Sequence, residues 1–186
     1  MIVLLFGVSN VGKTTIGKII ADKLKIAFYD VDEEIKRYYH ITLEEFVHTG
    51  TIRERDAKRG KLIGRIVNSD SNCVIAVTPM TNAEYFSDFI AMKNVIAIEL
   101  IDSAEHIFER LVFSDEDDNI YEDIEYKNLH RDYYMADIKE DLRWYGKVYH
   151  IVKNKFNIDN LLPEQAAQRI IELYDLEKLS GSGEKC

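Results

Sequence analysis

Gly7-Val8-Ser9-Asn10-Val11-Gly12-Lys13-Thr14 follows the apolar run Ile2 to Phe6 and leads into Thr15-Ile16-Gly17-Lys18-Ile19-Ile20, a helix-like pattern. The spacing is G-x-x-x-x-G-K-[ST] between a strand and a helix, the setting a phosphate-binding loop needs. Glycine at 7 and 12 lets the backbone turn sharply and approach a ligand with no Cβ in the way. The loop N–H groups and those of the helix start then converge on a space the size of a phosphate. Lys13 is expected against the β- and γ-phosphates, and the Thr14 hydroxyl on Mg²⁺. Gly7, Asn10, Val11, Gly12, Lys13, Thr14 and Thr15 are the candidate nucleotide-binding residues. The loop alone does not separate a kinase from an ATPase, a GTPase or a nucleotide sensor.

Outward from the loop, short apolar strands alternate with helical patterns. Ile16, Ile19, Ile20 and Leu24 recur at helical spacing, Ile26 to Tyr29 reads as a second strand, and Glu33 to Tyr39 as a helix. Thr42 to Glu45 is a capping-box pattern that opens a short helix, and a longer one is expected from Ile52 to about Asn68. Cys73 to Val77 and Val95 to Leu100 read as buried strands three and four. Thr81 to Glu84 and Asp102 to Glu105 read as caps of helices reaching about Ala91 and Leu111. Val148 to Val152 is the expected fifth strand, and Pro163 sits in the first turn of a last helix through about Lys178. The pattern predicts a three-layer α/β/α domain over residues 1–179, with a five-stranded parallel sheet and ligands at the carboxyl ends of the strands. Residues 180–186 read as a flexible tail.

Composition narrows the function classes. The chain has 186 residues, 46% hydrophobic and 31% charged, as a globular domain does. A net charge of −9 argues against nucleic acid or an anionic membrane as partner, since both need a basic surface. Two cysteines with no metal spacing point to a reduced, cytoplasmic protein without structural zinc. No apolar run approaches the ~18 residues of a membrane span. The apolar N-terminus runs straight into the phosphate loop and reads as a strand, not a signal peptide.

Asp30 and Asp32 follow the second strand and share a rim with the loop. One such carboxylate can hold Mg²⁺, and the other can accept a proton from an attacking hydroxyl or orient it. Asp32 is also well placed to cap the helix that follows.

Residues Gly7 to Thr15 with Ile16-Gly17, and Phe28-Tyr29-Asp30-Val31-Asp32-Glu33-Glu34-Ile35 as F-x-D-x-D-x-x-I, resemble the shikimate kinases. Thr42 to Phe46, Gly50 and Arg55 extend the likeness loosely, so that it is specific over residues 1–60. The resemblance implies a P-loop, nucleoside-monophosphate-kinase-like fold, ATP with Mg²⁺, and phosphorylation of a hydroxyl on a small molecule. It implies Asp30 in the metal's outer shell, Asp32 at the reacting hydroxyl and Arg55 at an acceptor carboxylate. A planar guanidinium suits a carboxylate because it gives two parallel charged hydrogen bonds. It also implies that Arg110 stacks on adenine.

The departures from the family lie on the acceptor side. Thr78-Pro79-Met80 stands where the family has three glycines, with Thr78 as a candidate acceptor contact. Thr51 replaces its Glu, and Glu54 its Phe. The lid-like segment, about 112–132, lacks the family's Arg-Pro-Leu-Leu and carries Ser114-Asp115-Glu116-Asp117-Asp118-Asn119 instead. Carboxylates closing over ATP would repel it, so this segment is expected to face solvent, the alternative being a docking site for a basic protein. Either Arg143 or Arg131 could supply the missing catalytic cation. Two function classes follow: an ATP-dependent small-molecule kinase with an altered acceptor site, a nucleoside or nucleotide acceptor being its variant, and a non-catalytic nucleotide-binding module.

Overall fold

The strand before the phosphate loop, β1 (Ile2–Phe6), is wholly inaccessible to solvent, and its side chains divide between two cores. Val3 and Leu5 face one layer, while Ile2, Leu4 and Phe6 face the other. A strand buried on both faces reads as a continuous apolar run for this reason. The computed structural model describes residues 1–70 and 72–181.

Around β1 the chain builds α1 (Lys13–Leu24), β2 (Ala27–Asp30), α2 (Val31–Tyr39), α3 (Leu43–Val47), α4 (Ile52–Ser69) and β3 (Cys73–Ala76). There follow α5 (Ser87–Ile90), β4 (Val95–Ile101), α6 (Ala104–Glu109), β5 (Phe113–Ser114), β6 (Ile120–Tyr121), α7 (Ile124–Leu129), α8 (Arg131–Val148), β7 (Asn154–Asn157), α9 (Pro163–Leu173) and α10 (Leu176–Ser180). The main sheet has the order β2-β3-β1-β4-β7, every pair parallel. This is the five-stranded α/β/α architecture expected from the alternation of elements. β1 lies between β3 and β4, so the order reverses at its carboxyl end, where open α/β sheets bind ligands.

The fifth strand is not Val148–Val152. Val148 closes α8, and Tyr149–Ile151 forms a single 3-10 turn. Tyr149 is fully buried there, packed on Phe6 and Phe86 with ring centroids 5.4 and 5.9 Å away. The true strand, β7, is an edge strand with only Phe156 buried, so it carries no apolar run to read. The helix expected over 81–91 is broken into a 3-10 turn, Ala83–Tyr85, and the four-residue α5. Its expected cap residues, Thr81 and Asn82, are bound elsewhere, as described below. The last helix breaks at Asp175, which takes a left-handed φ of 51°, and resumes as α10. Ser180 ends α10, and residues 182–186 of the expected tail lie outside the described residues.

Of the two expected capping boxes, the one at Thr42 forms and the one at Thr81 does not. Thr42 accepts from Glu45 N at 3.1 Å while Glu45 accepts from Thr42 N at 2.9 Å. A second box explains two departures from the family: Thr51 accepts from Glu54 N at 3.3 Å, and Glu54 accepts from Thr51 N at 2.7 Å. These residues start α4.

Candidate active site

The phosphate loop needs its glycines. Gly7 has φ 141°, and a Cβ there would lie 2.7 Å from the Leu100 carbonyl oxygen. Gly12 has φ 110° and begins α1 in a left-handed conformation. The first helical hydrogen bond runs from Ile16 N to Gly12 O at 2.9 Å, so the N–H groups of Lys13, Thr14 and Thr15 have no helical acceptor. N–H groups left unpaired behind a glycine turn are the donors an anion nest uses. Lys13 folds over the loop and donates to the carbonyls of Gly7 (2.9 Å) and Val8 (2.7 Å). Burial lowers its pKa to about 8, against the raising effect of Asp32, Asp30 and Asp141.

Thr14 Oγ1 donates to Asp30 Oδ2 at 2.6 Å, and Asp32 N donates to Asp30 Oδ1 at 3.0 Å. Asp30, not Asp32, therefore caps α2. The Asp32 carboxylate is not used as a cap. Burial raises its pKa; the Thr78 hydroxyl opposes this, Asp30 reinforces it, and Arg59 and Lys13 oppose it. Asp30, Asp32, Thr14, Lys13 and Thr78 thus meet in one cleft beside the loop.

Other expected site residues are engaged elsewhere. Arg55 donates to the carbonyls of Gly50 (2.9 Å) and Thr49 (3.3 Å) beyond the end of α3. Arg143 pairs with Glu140 at 3.2 Å on the exposed face of α8, both side chains 69% accessible. Arg131 lies over the Phe108 ring at 5.1 Å. Arg110 does reach the phosphate loop: its Nη2 donates to Asp102 at 2.6 Å and its Nε to Asn10 O at 3.2 Å. Asp102 is buried and also accepts from His106 Nδ1 at 2.7 Å. It is free to do so because Ser103, not Asp102, caps α6.

The loop after β3 departs most from an open glycine turn. Asp56, wholly buried on α4, accepts at Oδ2 from Thr81 N, Thr81 Oγ1, Asn82 N and Asn82 Nδ2, all within 2.8–3.0 Å. Met80 N donates to the Tyr149 hydroxyl at 3.1 Å, and Val77 N to Leu5 O at 2.9 Å. Proline 79 has no N–H to offer. The N–H groups of Met80, Thr81 and Asn82 are therefore consumed internally.

The acidic segment is a short hairpin, β5 paired antiparallel with β6. Asp115 closes its turn, accepting from Asp117 N (3.0 Å) and Asn119 N (2.8 Å). Asp118 does not face solvent as expected. Its carboxylate, 10% accessible, accepts from Leu43 N at 2.9 Å and lies 3.9 Å from Lys36 Nζ. The hairpin is thus tied to the α2–α3 side of the cleft. A surface groove of about 840 Å³ along α4 contains none of Lys13, Thr14, Asp30 and Asp32.

Residues 9–175 match the family model for shikimate kinase. The chain belongs to the shikimate kinase family. A shikimate kinase of Caldicellulosiruptor saccharolyticus is 28% identical over 173 residues, spanning 92% of this chain and 94% of that one. The crystal structure of the Bacteroides thetaiotaomicron shikimate kinase superposes with a TM-score of 0.74 at 23% identity, covering 94% of this chain and 98% of that chain. The Acinetobacter baumannii enzyme in complex with shikimate gives a TM-score of 0.71 at 20% identity, covering 96% and 94%. Family membership, with the loop and the P-loop kinase fold, makes this chain an ATP-dependent kinase. No helix among the described residues is long and apolar enough to cross a membrane.

Asp56, Arg59, Asp102, Asp141 and Tyr149 support or neighbour these candidate residues, and sequence reasoning did not single them out. Asp56 and Arg59 sit in the run Arg53 to Arg59, which reads as a solvated helix face. No local signal separates them from their neighbours.

Proposed function

We propose that this kinase transfers the γ-phosphate of ATP to a hydroxyl of a small molecule bound in an acceptor pocket remodelled from that of its family. The observation that carries this reading is the consumption of the post-β3 N–H groups by Asp56 and Tyr149. An acceptor here meets side chains where the family offers backbone.

The roles follow from the chemistry of each group. The loop amides and Lys13 hold the phosphate tail, and the phosphate charge restores the proton that burial weakens on Lys13. Thr14 and Asp30 present hard oxygen ligands side by side, a donor set that fits Mg²⁺, which takes few protein ligands beside phosphates and water. When bound, that ion neutralises phosphate oxygens. Asp32 orients the acceptor hydroxyl and takes its proton as the oxygen bonds the γ-phosphorus. The bond to the β-phosphate bridging oxygen breaks, and its electron pair leaves on ADP. Arg110, anchored by Asp102, steadies the loop at Asn10 and flanks the nucleotide.

ATP turnover across shikimate, quinate, gluconate, nucleosides and nucleoside monophosphates tests the reading. Turnover with one hydroxylated acceptor that Lys13→Ala abolishes is the expected result. ATP binding without such turnover on any of them would leave the non-catalytic module standing instead.

A further inference from the structure

The groove along α4 concentrates positive charge on an acidic protein. Arg37, Lys61 and Arg65 line it with the rings of Tyr38 and Phe89, and Glu34 is its one acidic residue. Arg37 pairs with Glu34 at 2.9 Å, which leaves two cations without a counter-charge. Arg65 stacks its guanidinium on the Tyr38 ring, 4.5 Å from the centroid. Among the described residues Lys61 has no hydrogen-bond or ion-pair partner. Gly60 and Gly64 put no side chains on this stretch of α4, and a Cβ at Gly64 would meet the Phe89 ring at 3.0 Å. The result is a hollow of cations and aromatic rings on a chain whose net charge is −9. Such a surface fits a partner segment that is acidic and carries an apolar side chain.

The same chain exposes a segment of that kind. Glu116, Asp117 and Glu122 of the β5–β6 hairpin and its flank are exposed, and among the described residues none of their carboxylates has a partner. Ile120 lies between them in the chain, 73% accessible. The hairpin is already ordered, with its turn closed on Asp115 and Asp118 bound to Leu43 N, so docking it costs little conformational entropy. It does not fill the groove of its own chain, which no hairpin residue lines. Both surfaces nevertheless border α2. Lys36 lies 3.9 Å from Asp118, and Arg37 and Tyr38, next along the helix, line the groove.

We propose that two copies of this chain dimerise about a two-fold axis beside α2, the acidic hairpin of each lying in the α4 groove of the other. Glu116, Asp117 and Glu122 of one copy then meet Arg37, Lys61 and Arg65 of its partner, and Ile120 meets the aromatic rings. Because hairpin and groove flank the same helix, one two-fold operation seats both hairpins at once. The contact is therefore made twice and closes at two copies.

Sedimentation velocity of the full chain, from about 5 to about 200 µM, reads the association by mass action. In about 20 mM NaCl the protein should pass from monomer to dimer across that range. In about 500 mM NaCl, where the reach of charge falls from about 20 Å to about 4 Å, the dimer should weaken roughly tenfold or more. Lys61→Glu with Arg65→Glu reverses the groove, and Glu116→Lys with Asp117→Lys reverses the hairpin. All four side chains are exposed, so both variants should melt within a few degrees of the parent. Each variant alone should stay monomeric. An equimolar mixture of the two should recover the dimer, because both hairpin–groove contacts of the mixed pair again join opposite charges. A parent protein that stays monomeric at the highest concentration in low salt leaves the groove to another occupant and overturns the proposal. So does a dimer that neither reversal weakens, a mixture that fails to recover it, or a ladder of larger species in its place.

Discussion

The Thr14 hydroxyl donates to the Asp30 carboxylate at 2.6 Å, joining the helix that follows the phosphate loop to the end of β2. The same carboxylate caps α2 through Asp32 N, so one aspartate aligns the loop, the second strand and the helix that carries Asp32. This division of labour leaves Asp32 unengaged by the backbone and available to an acceptor.

Lys13 is the first residue to test. Lys13→Ala should lower the turnover rate by on the order of 10²–10³, the usual cost of losing one transition-state cation or donor. Its pKa of about 8 adds a pH signature. Between pH 8 and the ordinary lysine range the unfolded chain binds more protons than the folded one, so this group makes stability rise with pH there. ADP binding, which favours the charged form, should take up protons near pH 8. Calorimetry in buffers of differing ionisation enthalpy reads that uptake, and Lys13→Met should lack it.

Asp32 carries the opposite sign. Burial raises its pKa, so the folded chain holds its proton to higher pH than the unfolded chain, and its contribution to stability falls as pH rises through that window. Activity needs the ionised form and should fall on the acid side, at a pH above the usual carboxylate range. Asp32→Asn should remove the acid limb of the kcat/KM profile and most of the rate, while melting at or above the parent temperature. A large loss of stability in Asp32→Asn would contradict this assignment.

Asp56 is structural before it is anything else. Asp56→Ala leaves four donors of Thr81 and Asn82 and the Arg59 guanidinium without their acceptor in a fully buried place. Breaking a buried charge network of this kind costs on the order of 3–5 kcal/mol. Urea unfolding should show a loss of that size, and Asp56→Asn, which keeps one acceptor oxygen, a smaller one.

Asp118 ties the acidic hairpin to the acceptor side of the cleft. Asp118→Ala should remove about 1 kcal/mol of local stability, the typical net worth of one hydrogen bond. Hydrogen exchange should find the Leu43 amide and the 113–121 hairpin less protected, with the protection of β1 and β4 unchanged. Equal loss throughout the chain would mean that the hairpin is no separate unit.

Much of this protein was legible along the chain. The phosphate loop is eight consecutive residues whose own backbone makes the site, so spacing alone specifies it, and β1 shows its double burial as an unbroken apolar run. Asp30 and Asp32 were found because they follow a strand end. Tertiary structure alone decided the rest. The edge position of β7 freed it from any apolar pattern, while the apolar run Val148–Val152 went to a helix end and a turn around buried Tyr149. The proposed acceptor side draws on α3, α4, the post-β3 loop and α8, whose side chains share no period. Where the Arg55 and Arg59 guanidinium groups settle depends on where Asp56, Phe46 and the Gly50 carbonyl lie in space. A backbone nest is a local object and is written locally; a pocket of converging side chains exists only once the layers have packed.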